Sequence, residues 1–151
     1  MEEMQIWQLL ATQIIGFSIF LAGNAFLIWV AFRVSKSVNE TGGNIIFKLV
    51  GTVFGLGIVW NGLIVQGFVG NVVQSASYSL GQLKESGGEV SALAESFMSA
   101  NGTDLPEFSV VPDVIGIIWW LSVLAIILLP IWGPKALSLI HISEPTRRYE
   151  I

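Results

Sequence analysis

Three long stretches without a charged residue divide the chain, and each is rich in apolar side chains. They are 29, 35 and 21 residues long. An α-helix needs about 20 mostly apolar residues to cross roughly 30 Å of hydrocarbon. Because backbone groups in lipid must be satisfied within the segment itself, spans of this length are helices. The pattern therefore predicts three transmembrane helices, at about 6–32, 46–73 and 114–132.

The composition agrees with a membrane location and excludes several other classes of protein. Of the 151 residues, 53% are hydrophobic and only 12% are charged, whereas a soluble domain carries about 25% charge. The formal net charge is −4, and no basic stripe exists that could bind nucleic acid. The chain has no cysteine, which excludes a disulfide scaffold and a thiol nucleophile. We expect an all-α membrane protein that is embedded in the lipid bilayer.

Lysine and arginine are concentrated on one side of the predicted membrane. Arg33, Lys36, Lys48 and Lys135 lie on that side, and Lys84 lies on the other. Basic residues are retained on the cytoplasmic side. The N-terminus is therefore predicted to be outside and the C-terminus inside.

The outer connection, at about 74–113, is predicted to contain a short helix. Ser86 and Glu89 have the spacing of a capping box, and Asn101-Gly102 would end the helix. Apolar residues recur between these signals at helical intervals: Val90, Leu93, Ala94, Phe97 and Met98. The polar face carries glutamate instead of lysine or arginine, so we expect this helix to pack on the protein and not on the lipid surface. By contrast, the inner connection after Arg33 is expected to be a tight, turn-rich reversal.

Apart from Lys48, at the edge of the second span, no ionisable residue lies inside a predicted span, although such residues mark proton relays and ion pathways in membrane proteins. The sequence also offers no nucleophile–base pair and no histidine or carboxylate cluster with metal-ligand spacing. We therefore expect a non-enzymatic protein without a cofactor.

Small and amide side chains are the distinctive feature of the first two spans. Small residues let helix backbones approach closely, and amides form interhelical hydrogen bonds. The third span is apolar on all sides except for Ser122, and we expect it to face lipid. The candidate helix-packing residues are Gln13, Gly16, Asn24, Gly51, Gly55, Asn61, Gly62 and Gln66. Gly51 and Gly55 form a GxxxG pair, which fits packing within the monomer or against another subunit.

The C-terminal residues differ in character from the rest of the chain. The string from Ser138 to Arg148 resembles a peptide that recurs at the ends of unrelated translated environmental sequences. This resemblance implies that 138–151 is a non-native tail and that the source is microbial. The native part is then a single integral membrane domain, 1–137, in a cytoplasmic membrane.

The favoured function is that of an accessory or structural subunit of a membrane complex, in contact with other membrane proteins or with itself. The alternative is a self-assembling pore former, either a holin-like protein or a channel. The long outer connection, however, fits the three-span topology of holins poorly. A small transporter would use Asn24, Asn61 and Gln66 as substrate-facing amides and is the least favoured.

Overall fold

The computed structural model describes residues 2–133, and all regular structure in this part of the chain is helical. Three of the helices are long and apolar enough to cross a membrane. The predicted all-α fold, with three such helices and a further helix in the long connection, is confirmed. The predicted tail at 138–151 lies outside the described residues. The helices are α1 (Glu3–Thr41), α2 (Ile45–Glu85), α3 (Ala92–Asn101) and α4 (Val114–Trp132).

Helices α1 and α2 form a long antiparallel hairpin with a turn of three residues, 42–44. Gly42 ends α1 in the left-handed conformation (φ 66°), and the Gly43 N–H donates to the Val38 carbonyl at 3.0 Å. Both features are typical of a Schellman ending. The Asn44 side chain then caps α2. The prediction of a turn-rich connection directly after Arg33 was wrong, because α1 continues as a helix through this region.

The three long helices share one section in which their residues lie at matching levels. At one end, Phe17 of α1 stacks on Phe68 of α2, with ring centroids 6.1 Å apart. At the other end, the Cα of Gly51 faces Val34 of α1 and Ile131 of α4. The common section therefore covers about 17–35 of α1, about 49–68 of α2 and all of α4. Since α4 has 19 residues, this section is about 28 Å long.

Helices α1 and α2 extend beyond the common section and form a small bundle with α3. A buried apolar cluster joins the three helices: Ile6, Ala76, Leu80, Ala94 and Met98. Trp7 packs edge-on against Phe97, with ring centroids 5.1 Å apart. Helix α3 thus packs on protein at what we call the α3 end of the molecule.

The start of α3 differs from the predicted capping box at Ser86 and Glu89. Helix α2 runs to Glu85, and Gly87 with φ 84° turns the chain. The cap of α3 is Ser91, whose hydroxyl accepts from the Ala94 N–H at 3.2 Å. Ser86 instead follows the last residue of α2, because that helix keeps its apolar contacts with α3 up to this point.

Glu3 connects the beginning of α1 to the cap of α3. Its carboxylate accepts from the backbone N–H of Ser91 at 2.7 Å and from the Ser91 hydroxyl at 2.6 Å. The indole N–H of Trp7 donates to the same carboxylate at 2.8 Å. These bonds, above all the one from the Ser91 side chain, lower the pKa of Glu3 because they stabilise its charged form.

Helix α4 buries one face and exposes the other. Its buried residues recur every three or four positions: Gly116, Trp120, Val123, Ile127 and Ile131. This spacing is typical of a helix that packs on its neighbours along its length. The sequence predicted that the third span faces lipid; the structure shows in addition that one face of α4 packs on both α1 and α2.

Candidate helix-packing site

A row of glycines on α2 forms the surface against which α4 packs. A Cβ at Gly51 would lie 3.2 Å from Cδ1 of Ile131, and one at Gly55 would lie 2.7 Å from Cγ2 of Ile127. The ring of Trp120 occupies the space that a Cβ at Gly62 would need. Because glycine has no side chain, large residues of α4 lie directly on the α2 backbone. The structure therefore brings three of the predicted packing residues together on one face.

Gln66 holds Trp120 in place at the end of this glycine row. The indole N–H of Trp120 donates to Oε1 of Gln66 at 2.9 Å. A buried indole N–H needs such a partner because nothing in an apolar interior replaces water. The bond joins α2 to α4 near the α3 end of the common section, so that Gln66 has a clear packing role.

Two polar residues of α1 bind the last turns of α4, and sequence reasoning missed both. The Ser35 hydroxyl donates to the Ile127 carbonyl, and the Asn39 amide donates to the Pro130 carbonyl, each at 2.6 Å. The Pro130 carbonyl lies in the last turn of α4, where carbonyls have no partner within the helix. Two polar residues four positions apart, with a proline near the end of α4, were the available signal for these contacts.

Asn24 is buried in the common section with only 4% of its surface exposed. Its side-chain carbonyl oxygen has no hydrogen-bond partner among the described residues. A buried amide without its full set of partners lowers stability, by roughly 1–3 kcal/mol. The structure thus places Asn24 in the interior, as expected for helix packing, but its side-chain carbonyl oxygen accepts no hydrogen bond from the described residues.

The remaining predicted residues face away from the bundle. Gln13, Gly16 and Asn61 are exposed, and a Cβ at Gly16 would meet nothing within 4 Å. Gly57, one turn before Asn61, is equally open. The structure therefore divides the predicted set into a part used within the monomer and a part left uncovered.

Cations and tryptophans mark the end of the common section near the α1–α2 turn. Lys48 lies 5.4 Å from the centre of a Trp132 ring, and Arg33 lies 5.9 Å from that of Trp29. Trp132 also donates its indole N–H to the hydroxyl of Thr52 at 2.9 Å. Tryptophans with adjacent cationic side chains are typical of the boundary between hydrocarbon and water.

The described residues contain no group of three or more His, Cys, Asp or Glu side chains that could hold a metal ion. Comparisons with protein-family models, with curated proteins and with solved structures found no match. The geometry of the helices is therefore the basis for any functional conclusion.

Proposed function

We propose that the protein is a non-enzymatic subunit of a membrane complex, and that it joins its partner through helix–helix packing in the bilayer. The single observation that carries the proposal is the exposed amide of Asn61 on α2. The bilayer in this proposal surrounds the common section, whose length of about 28 Å matches the hydrocarbon thickness.

Asn61 then lies well inside the hydrocarbon. It is seven residues from Phe68, and therefore about 10 Å along α2 from the boundary of the common section. An amide that faces lipid loses its hydrogen bonds to water and gains none, which costs several kcal/mol on scales that do not allow hydrogen bonding. An amide of a partner helix would replace those bonds.

Gly57 supports the same contact because it lies one turn from Asn61 on the exposed surface of α2. With no neighbour within 4 Å of its Cβ position, it allows another backbone to approach closely. The face with Gly51 and Gly55 cannot serve this purpose, since α4 already covers it. The partner contact in this proposal is therefore the surface formed by Gly57 and Asn61, which we call the amide face.

The proposed orientation follows from the basic residues. Arg33, Lys36 and Lys48 lie near the α1–α2 turn, and we place this end in the cytoplasm of a microbial cell. The α3 end, with its glutamates, is then outside. The partner contact lies between these two ends, within the membrane.

Site-specific photo-crosslinking in native membranes tests the proposal. A photoreactive residue at position 61 should form an adduct with a different membrane protein. The matched control is position 126 of α4, because Ile126 is exposed and also lies within the common section. Crosslinking to the same protein at both positions, or at neither, would contradict an amide-face contact. An adduct of the chain with itself, together with ion leakage from vesicles that contain only this protein, would support the pore former instead.

A further inference from the structure

Asn24 of α1 and Asn61 of α2 lie at the same depth in the hairpin. The rings of Phe17 and Phe68 stack at the boundary of the common section, which makes these two positions level. Asn24 follows Phe17 by seven residues, and Asn61 precedes Phe68 by seven residues. Because α1 and α2 are antiparallel and rise equally per residue, both amides lie about 10 Å inside the common section.

The two amides have opposite environments. Asn24 is buried between the helices, and its Oδ1 atom accepts no hydrogen bond from the described residues. Asn61 is exposed. Arg33, near the opposite boundary, is the single ionisable residue of the common section. A polar contact at the depth of the two amides therefore finds only uncharged groups on this chain.

Gly23 lies beside these amides on the side of α1 that faces α2. It precedes Val34 by eleven residues, or about three turns, and so shares the same face of α1. Val34 contacts α2, since its Cγ1 atom lies 3.8 Å from the position of a Cβ at Gly51. A Cβ at Gly23 itself would meet nothing within 4 Å. The α1–α2 contact is therefore open at Gly23, whereas α4 covers its other side through Ser35.

Gly57 and Asn61 border the same opening from α2. Phe68, two turns from Asn61, stacks on α1, so that Asn61 lies on the α1 side of its helix. We call the opening formed by the exposed residues Gly23, Gly57 and Asn61 the seam. Phe20, three residues before Gly23 and 64% exposed, adds an aromatic ring that a partner can contact. The seam thus combines two accessible helix backbones with an amide, which suits one further helix.

A second copy of this chain does not fit the seam. A symmetric contact between two copies joins the same surface of each copy. It would place seam against seam, so that neither seam receives a helix. Any other contact between copies joins two different surfaces and continues into a ring or a filament. The matched occupant is therefore a single helix of a different protein.

We propose that the seam seats one transmembrane helix of the partner, and that an uncharged hydrogen-bonding side chain of this helix lies level with Asn24 and Asn61. The proposal rests on the proposed function, adds α1 to the contact and names its chemistry. A charged side chain does not fit, because no counter-charge lies at this depth. An amide both donates and accepts. It can bind Asn61 and supply a donor to Oδ1 of Asn24, next to which Gly23 adds no side chain.

Photo-crosslinking at position 23 in native membranes tests whether the helix lies in the seam. We expect an adduct with the same protein that position 61 contacts. The matched control is position 22, because Ala22 is exposed and has nearly the same depth but is turned by about 100°. An adduct at 61 without one at 23, or equal yields at 22 and 23, would overturn the seam and leave the proposed function standing. No adduct at 61 would remove both. An adduct at 23 with a second copy would overturn the seam as a site for a different protein.

The nearly isosteric variant Asn24→Leu tests the polar contact. It removes a buried acceptor that has no donor in the monomer, so the SDS midpoint of unfolding should not fall. Co-purification of the partner in mild detergent should fall about three- to tenfold, the size of one interhelical hydrogen bond. Gln13→Leu is the control, since it removes an exposed amide of α1 outside the common section and should keep the partner. Full retention of the partner by Asn24→Leu, or an equal loss in Gln13→Leu, would contradict the polar contact.

Discussion

Replacing Gly62 by alanine tests the packing of α4 on α2 at its tightest point. The new Cβ would occupy space that the Trp120 ring now fills, so the ring or the helix must shift. Overpacking of this kind costs about 1–3 kcal/mol. A shifted ring also loses its bond to Gln66, which is worth about 0.6–1.7 kcal/mol in a membrane protein. We therefore expect G62A to lower the free energy of unfolding by roughly 2–5 kcal/mol.

The matched control is G57A on the same helix. A Cβ at Gly57 meets nothing within 4 Å, and alanine favours a helix over glycine by up to about 1 kcal/mol. Unfolding by SDS from mild detergent micelles, followed by far-UV circular dichroism, measures both variants. G62A should unfold at a lower SDS fraction than the wild type, and G57A should not. Equal midpoints for the two variants would refute the proposed contact between Trp120 and the glycine row.

Three further predictions concern hydrogen bonding, pH and orientation. Gln66→Leu should destabilise the monomer by about 1–3 kcal/mol in the same assay because it leaves an indole N–H without an acceptor. Hydrogen bonds from Ser91 lower the pKa of Glu3. Their contribution to stability is therefore complete above the usual value of 4.5 and is lost as the pH falls through the lowered pKa. The Ser91 amide resonance should shift in that pH range, and E3Q should abolish the shift. In whole cells, a membrane-impermeant maleimide should label S96C and not S37C, and the reverse pattern would contradict the proposed orientation.

The ends of α4 were predictable from the sequence, whereas the end of α1 was not. Asp113 precedes an uninterrupted apolar stretch and caps the helix, and both signals are local. Helix α1 continues past Arg33 because Ser35 and Asn39 bind carbonyls of α4. Those partners lie about 90 residues away in the chain, and no local pattern indicates them.

The residues of the candidate site were predictable from the sequence, but the neighbour that each helix face contacts was not. Helical spacing places Gly51, Gly55 and Gly62 on one face, and the structure uses that face within the monomer. Spacing alone does not show which neighbour covers a face, so that it left both monomer packing and subunit contact open. The amide face of Gly57 and Asn61 became evident only when the positions of α1 and α4 were known.

The position of the bilayer on α1 tests the central claim most directly. Leu9 and Phe26 both expose more than half of their surface, 52% and 61%, and both fall inside the span of 6–32 predicted from sequence. In the structure, Leu9 lies about 12 Å beyond the common section, and Phe26 lies within it. The cysteine-free chain permits a nitroxide at either position in lipid vesicles. The account predicts that the label at 26 is accessible to oxygen and the label at 9 to a water-soluble nickel complex. Oxygen access and nickel exclusion at both positions would contradict it.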